Sequence, residues 1–189
     1  MKRTLMALCA CAFLAAGQDA RTGDKSKEPA ASEMPKPTPA AEMKELTSLA
    51  GTWSVEEIHE PSPWLPEGGT GKGTANFRLG PGGFSVMLDY KSESGVMPGF
   101  HGHGLMTFSE SEKVYKSVWV DSVTQDVIMS KGTKQGGNLV YAGEFTFMGK
   151  KMTSRDVISD RTPNSFTATT FLNDGSGEKK AMTVKYTRK

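Results

Sequence analysis

The sequence predicts an all-β protein, an up-and-down antiparallel β-barrel of about ten strands with one short N-terminal helix. Three observations predict it. Beyond residue 51, apolar residues recur at alternate positions, as they do on the buried face of a strand. Gly, Pro, Asn and Asp interrupt these runs at short, even intervals. No later stretch carries the helical period that βαβ units would need. Closing such a meander on itself removes its unpaired edges, and hairpin-sized connections favour closure over a Greek-key sandwich.

The chain starts with Met1-Lys2-Arg3, an apolar run from Leu5 to Ala16, and Gly17-Gln18. A basic start, a short apolar core and small residues before a polar one describe a signal peptide, residues 1–17, cleaved after Gly17. The run is too short to anchor stably in a bilayer. Leu14-Ala15-Ala16-Gly17 resembles the approach to a lipoprotein box, but Gln18 stands where the lipidated Cys belongs. Cys11 is the alternative acceptor, and a soluble mature form is the favoured reading. Both cysteines, Cys9 and Cys11, fall in this segment, so the mature domain has neither disulfide nor thiol nucleophile. Residues 18–39 are rich in Pro, Ala, Lys, Glu, Ser and Thr. They have too few large apolar side chains to offset ordering entropy and read as a disordered tether. Residues 40–189 form the barrel domain. A net charge of +2 with scattered basic residues gives no nucleic-acid footprint. The Lys-rich segment Lys179 to Lys189 is a solvated strand edge.

Thr38-Pro39 can cap and start the helix, with Met43, Leu46, Leu49 and Ala50 at helical spacing and Gly51 as its stop. The first strand follows near Thr52 to His59. Glu60 to Gly69, with three prolines, Trp64 and two glycines, is a loop. Strands are expected near 71–79, 83–91, 100–108, 113–121, 126–130, 138–147, 151–159, 165–172 and 179–188. Breaks fall at Gly80-Pro81-Gly82, Gly95 to Gly99, Gly132 to Gly137, Gly149-Lys150, Pro163-Asn164 and Asp174 to Gly177.

At Leu49-Ala50-Gly51-Thr52-Trp53 the chain resembles the calycins, the lipocalin and fatty-acid-binding superfamily. There a Gly-x-Trp opens the first strand, and a basic residue near the end of the last strand covers the Trp. Arg188 shares a face with Met182, Val184 and Tyr186 and is the matching residue, so the resemblance implies structural roles for Trp53 and Arg188. A guanidinium over an indole is also favourable in itself. A second resemblance covers most of Lys44 to Lys189, to a bacterial family known as domain of unknown function fifteen-seventy-nine. It rests on Leu49 to Trp53, the glycine-rich Gly71 to Gly83, Gly102-His103-Gly104, Tyr115 to Ser122 and Tyr186 to Lys189. The family often has Gly-Tyr-Asp where this chain has Thr107-Phe108-Ser109, so no role of that Tyr or Asp carries over. The resemblance implies a fold and no established reaction.

Functional side chains concentrate in Phe100 to Ser122, which reads as a hairpin. A four-residue loop at Ser109 to Glu112 puts Gly104 opposite Ser117 and Gly102 opposite Trp119, leaving room for the indole. Tyr115, Trp119 and Asp121 then face the interior with Phe100, Met106 and Phe108, while His101 and His103 point outward. A slip of one residue would reverse the faces and put the histidines beside the Trp. The candidate ligand-binding residues are therefore Tyr115, Trp119, Asp121 and His103. An apolar wall with few polar groups suits a small amphipathic or hydrophobic ligand, and eleven methionines suit an adaptable pocket as well as an ordinary core.

The alternatives are an enzyme or a metal- or haem-binding barrel using His103, Tyr115 and Asp121, and a structural or protein-interaction barrel with a filled interior. His101-Gly102-His103 has a spacing that some metal sites use, but His59, Asp121 or Glu57 would have to supply a third ligand. Paired surface histidines are the favoured reading, with no metal or cofactor assigned. With no Gly-x-Ser-x-Gly elbow and three histidines in all, no catalytic residue is assigned either. The sequence thus describes an exported, periplasmic or extracellular, barrel with a small-molecule ligand, no nucleic-acid partner and no stable membrane span.

Overall fold

Alternating burial builds the first strand: Trp53, Val55 and Glu57 are buried while Thr52, Ser54 and Glu56 are exposed. The structure is a computed structural model and describes residues 36–189. Its strands are β1 (Gly51–His59), β2 (Gly69–Leu79), β3 (Ser85–Gly95), β4 (His101–Ser109) and β5 (Val114–Asp121). They continue as β6 (Ile128–Gln135), β7 (Asn138–Phe147), β8 (Lys150–Ser159), β9 (Ser165–Asn173) and β10 (Lys179–Arg188). Each pairs antiparallel with its neighbour in sequence, and β1 pairs with β10, so the sheet is a closed up-and-down barrel. The expected signal peptide, 1–17, and residues 18–35 of the expected tether lie outside the described residues. Residues 36–39 are exposed. No helix among the described residues is long and apolar enough to cross a membrane.

The helix α1 (Met43–Thr47) is shorter than its sequence pattern. Glu42 stands at its N-cap without a side-chain capping bond, and Thr38-Pro39 does not start it. Residues 36–39 have no buried face, and a helical turn without packing is not stable in water. Met43, Leu46 and Leu49 are nonetheless all buried, and α1 lies against β3 and β4 where β1 begins.

Two strands run past their expected breaks. β6 continues through Gly132 to Gln135, because this glycine serves a close approach rather than a turn. A Cβ on Gly132 would stand 2.6 Å from Cδ1 of Tyr141 on the neighbouring strand. The turn follows at Gly136 and Gly137, with φ of 55° and 89°. β3 likewise extends beyond Lys91 to Gly95, with a register shift between Lys72 and Gly73 of its partner β2.

The two ends of the barrel differ. At the helix end, Trp53 meets Phe166 edge-on at 4.8 Å, Phe166 stacks on Tyr186 at 4.1 Å, and Val86, Met106, Tyr115 and Leu139 complete a core. Trp53 Nε1 donates to the Leu49 carbonyl at 2.9 Å. The Arg188 guanidinium lies 4.1 Å from the Trp53 ring and donates to the carbonyls of Ala50, Ser48 and Pro163. Gly51, at φ 137°, leaves room for it, since a Cβ there would sit 2.3 Å from Nη1.

At the other end the inward side chains are less covered. Ser117, Trp119, Asp156, Thr170, Leu172 and Met182 all keep part of their surface accessible. Inward side chains are thus fully covered at one end and in part accessible toward the other, where Glu57, Ser92, Ser130, Met152 and Ser154 are still buried. The β1–β2 loop reaches this mouth, where Trp64 meets Phe147 edge-on at 5.3 Å. Glu60 N donates to the Ala181 carbonyl at 2.9 Å, and Lys180 pairs with the Glu60 carboxylate at 2.5 Å.

Candidate functional site

The β4–β5 hairpin sets one wall of the less covered half. Its loop is Glu110 to Lys113, with Lys113 at φ 54°, so Ser109 pairs with Val114 rather than Phe108 with Lys113. The pairing is displaced by two residues from the expectation: Gly104 lies opposite Trp119 and Gly102 opposite Asp121. A shift of two preserves faces, because side chains alternate with period two. The glycines still accommodate the indole, which lies over both. A Cβ would stand 2.2 Å from Trp119 Cζ2 at Gly102 and 3.3 Å from Cε3 at Gly104. Trp119 also meets Tyr90 edge-on at 6.3 Å, and its Nε1 donates to Asp121 Oδ2 at 2.8 Å. Asp121 Oδ1 accepts from the backbone N–H groups of Val123 and Thr124 at 2.8 and 2.6 Å. Asp121 thus orients the indole and holds the start of the next loop.

The adjoining wall, on β1 and β3, carries polar groups that the sequence did not bring together. Glu57 is 2% exposed on the inward face of β1. Its Oε1 accepts from Tyr90 Oη at 2.7 Å and its Oε2 from Ser92 Oγ at 3.2 Å, with His59 Nε2 3.1 Å from Oε2. Gly71 across the sheet makes this possible, since a Cβ there would be 2.5 Å from Oε2. Burial opposes the ionisation of Glu57, but the bonds from His59, Tyr90 and Ser92 outweigh it and hold the carboxyl below its ordinary value. Burial, the nearby Tyr186 phenol and Glu57 push the Tyr90 phenol up.

Asp156 faces inward from β8, deep among protein atoms yet with part of its surface open to the lumen. Thr170 Oγ1 donates to its Oδ1 at 2.6 Å. Burial pushes this carboxyl above its ordinary value, against the Thr170 bond and the Arg155 charge. Burial, Glu57 and Asp156 together raise the Tyr186 phenol. Two residues along β8, Ser154 Oγ is buried with no hydrogen-bond partner among the described residues, as is the Tyr141 hydroxyl. Both carboxylates had a signal in the sequence: Glu57 shares strand parity with Trp53 and Val55, and Asp156 with Met152 and Ile158.

The remaining sequence candidates separate. His103 lies on the outer face, its Nδ1 2.7 Å from Asp89 Oδ1, while Arg78 pairs with Asp89 Oδ2 at 2.6 Å. His101 is exposed as well, its Nδ1 3.1 Å from the Gly99 carbonyl. The register gives neither imidazole access to the lumen, so His103 is not part of the wall that Trp119 makes. Tyr115 faces inward but belongs to the packed end: it is 4% exposed, meets Phe108 edge-on at 5.1 Å, and donates to the Glu42 carbonyl at 3.4 Å. His103, Tyr115 and Asp121 are thus in three environments and form no common acid–base site. Among the described residues no three His, Cys, Asp or Glu side chains gather in metal-binding proximity.

A family model described as "Protein of unknown function (DUF1579)" matches residues 38–188. No curated protein matches the chain. Among solved structures, the barrel is similar to Rv2717c from M. tuberculosis, with a TM-score of 0.56 and 10% identity over 80% of this chain and 99% of that one. It is also similar to the S-type phycobiliprotein lyase CPES from Guillardia theta, with a TM-score of 0.53 and 12% identity over 77% and 91%. The neighbours are calycin-like barrels, and at these identities the likeness is one of fold.

Proposed function

We propose, from the premise that the chain belongs to the DUF1579 family of proteins of unknown function, that it is an exported barrel whose lumen binds a small amphipathic or hydrophobic molecule. The observation that carries this reading is the partial accessibility of inward side chains at one end of the barrel. Trp119, Leu172 and Met182 present accessible apolar surface inside a closed sheet, beside a small set of polar groups. An apolar wall with few orienting polar groups is the composition of a small-molecule site. A barrel filled with its own side chains would leave these residues covered. Export is supported by the basic start, the apolar run Leu5 to Ala16 and the small residues before Gln18.

Native mass spectrometry of the protein purified from its own envelope tests the binding reading. A retained small molecule is expected, and Trp119→Ala should release it while His103→Ala keeps it. Retention by Trp119→Ala together with loss in His103→Ala would move the site to the outer face and end this proposal. N-terminal sequencing of the same material should begin at Gln18, and a lipidated Cys11 would replace the soluble form.

A further inference from the structure

The charged groups inside the lumen are of one sign. Between the mouth and the Trp53 layer, the inward strand positions carry Glu57, Asp156 and Asp121, whose oxygens are taken by Trp119, Val123 and Thr124, and among the described residues no lysine or arginine. Lys150 and Lys179, which share inward parity, stand exposed at the rim. Among the described residues His59 is the basic group that meets Glu57, while Arg155, whose charge reaches Asp156 from the outer face, is paired with Glu178. Glu57 and Asp156 stand on the inward face of the closed sheet, and both raise the Tyr186 phenol within that interior space. In such a space, shielded from bulk water, a charge acts more strongly than at the surface.

The two carboxylates are not equally satisfied. Glu57 is met by Tyr90, Ser92 and His59. Among the described residues, the donor that meets Asp156 is Thr170, at one oxygen. Beside it on the same inward face, Ser154 is 7% exposed, and its hydroxyl has no partner among the described residues. Buried hydroxyls are nearly always hydrogen-bonded in folded proteins, so an orphan next to a poorly satisfied carboxylate marks a place for a donor from outside the chain. A ligand carboxylate would meet Asp156 and Glu57 with no internal Lys or Arg to offset the repulsion. A ligand ammonium would supply the missing donors and the missing charge.

We infer that the lumen selects a cationic amphiphile, an ammonium or guanidinium group on an apolar body, with the cation taken at Asp156 and Ser154. This rests on the lumen-binding reading above. It distinguishes the barrel from one built for fatty acids, whose head group needs the opposite charge.

Titration calorimetry of the full mature chain at physiological salt, with decylammonium, decanol and decanoate as probes of equal apolar length, tests it. Decylammonium should bind about tenfold or more tightly than decanol, a difference of about 1.4 kcal/mol or more, and decanoate more weakly than either. Asp156→Asn should bring the ratio of decylammonium to decanol affinity close to one. Should the Asn variant fail to fold, the order of the three affinities in the unaltered protein still decides. Decanol binding with equal or tighter decanoate binding would overturn the inference and leave the lumen as a site. A ratio unchanged by Asp156→Asn would also overturn it. Binding of none of the three would overturn the lumen-binding reading and the inference with it.

Discussion

Glu57 and Asp156 face one lumen and answer acid in opposite directions. Glu57 is held below its ordinary value near 4.5, so its stabilising contribution is full above that value and is lost as pH falls through its native one. Asp156 is raised above 3.8, so its ionisation costs stability at neutral pH, and acid relieves that cost. The groups facing them (His59 and Tyr90 for Glu57, Tyr186 and Thr170 on the Asp156 side) enter through these directions. Asp156→Asn should raise the melting temperature near pH 7, because the amide keeps an oxygen for Thr170 without a buried charge. The gain should vanish below about pH 3.8, where wild-type Asp156 is itself neutral. Glu57→Gln should lower the melting temperature near neutrality and flatten the acid side of the profile. Circular dichroism melts across this range check both, and a destabilised Asp156→Asn at neutral pH would show the carboxylate to be structural. A ligand site whose polar residue costs stability is common where binding, not folding, maintains the choice.

Two further residue-scale outcomes follow from close approaches. Trp53→Ala should cost about 3–5 kcal/mol, as deletion of a buried aromatic does. Arg188→Ala should cost more than the roughly 0.5–1 kcal/mol of an exposed cation–π contact, since three carbonyls lose their donor as well. The losses should be non-additive in a double-mutant cycle, and zero coupling would contradict the 4.1 Å contact. Gly102→Ala should cost about 1–3 kcal/mol by forcing the Trp119 ring aside, readable by chemical denaturation.

At the scale of the element, legibility followed parity. The inward face of β5 and the outward face of the β4 histidines depend on alternation alone, so a loop placed one residue early, and a pairing displaced by two, left both intact. The exact pairing depended on Lys113 adopting positive φ, a conformation that its side chain does not announce. Gly132 looked like a turn residue because a glycine chosen to sit under Tyr141 and one chosen for a turn are the same letter. The helix was legible as an apolar stripe and not as a length, because its N-terminal end depends on what it packs against. Leu46 is 0% exposed there, so Leu46→Ala should cost about 2–5 kcal/mol. A chain beginning at Ala40 should melt within a degree or two of the longer one, since residues 36–39 bury nothing. A large drop would assign packing to the preceding segment.

At the scale of the whole molecule, the described residues form a ring of ten strands whose first and last members close it. Fold class was legible because turn spacing and alternation are local signals repeated ten times. The asymmetry of the interior was not. It depends on how inward side chains from all ten strands share one space, and no single strand carries that information. The Glu57, Asp156 and Ser154 grouping belongs to this scale too: β1 and β8 are joined through β10 and β9, far from adjacent in sequence. Deleting residues 179–189, which include β10, should expose the free edges of β1 and β9 and give aggregate on size-exclusion chromatography, where the intact chain gives a discrete peak. A soluble, cooperatively melting product would show that closure is dispensable.

The three indoles occupy three depths: Trp53 sealed at 1% exposure under a guanidinium, Trp119 on the lumen wall, and Trp64 at the mouth at 45%. The chain therefore carries its own optical probes, each in a different solvent environment. Acrylamide should quench Trp64 first and Trp53 last, and a Trp64→Phe variant should lose the red edge of the emission band. A molecule entering the lumen would then be seen through Trp119 alone, as a change in the middle of the spectrum with the blue edge unmoved. A shift at the blue edge would place the occupant, or the motion that admits it, at the helix end instead.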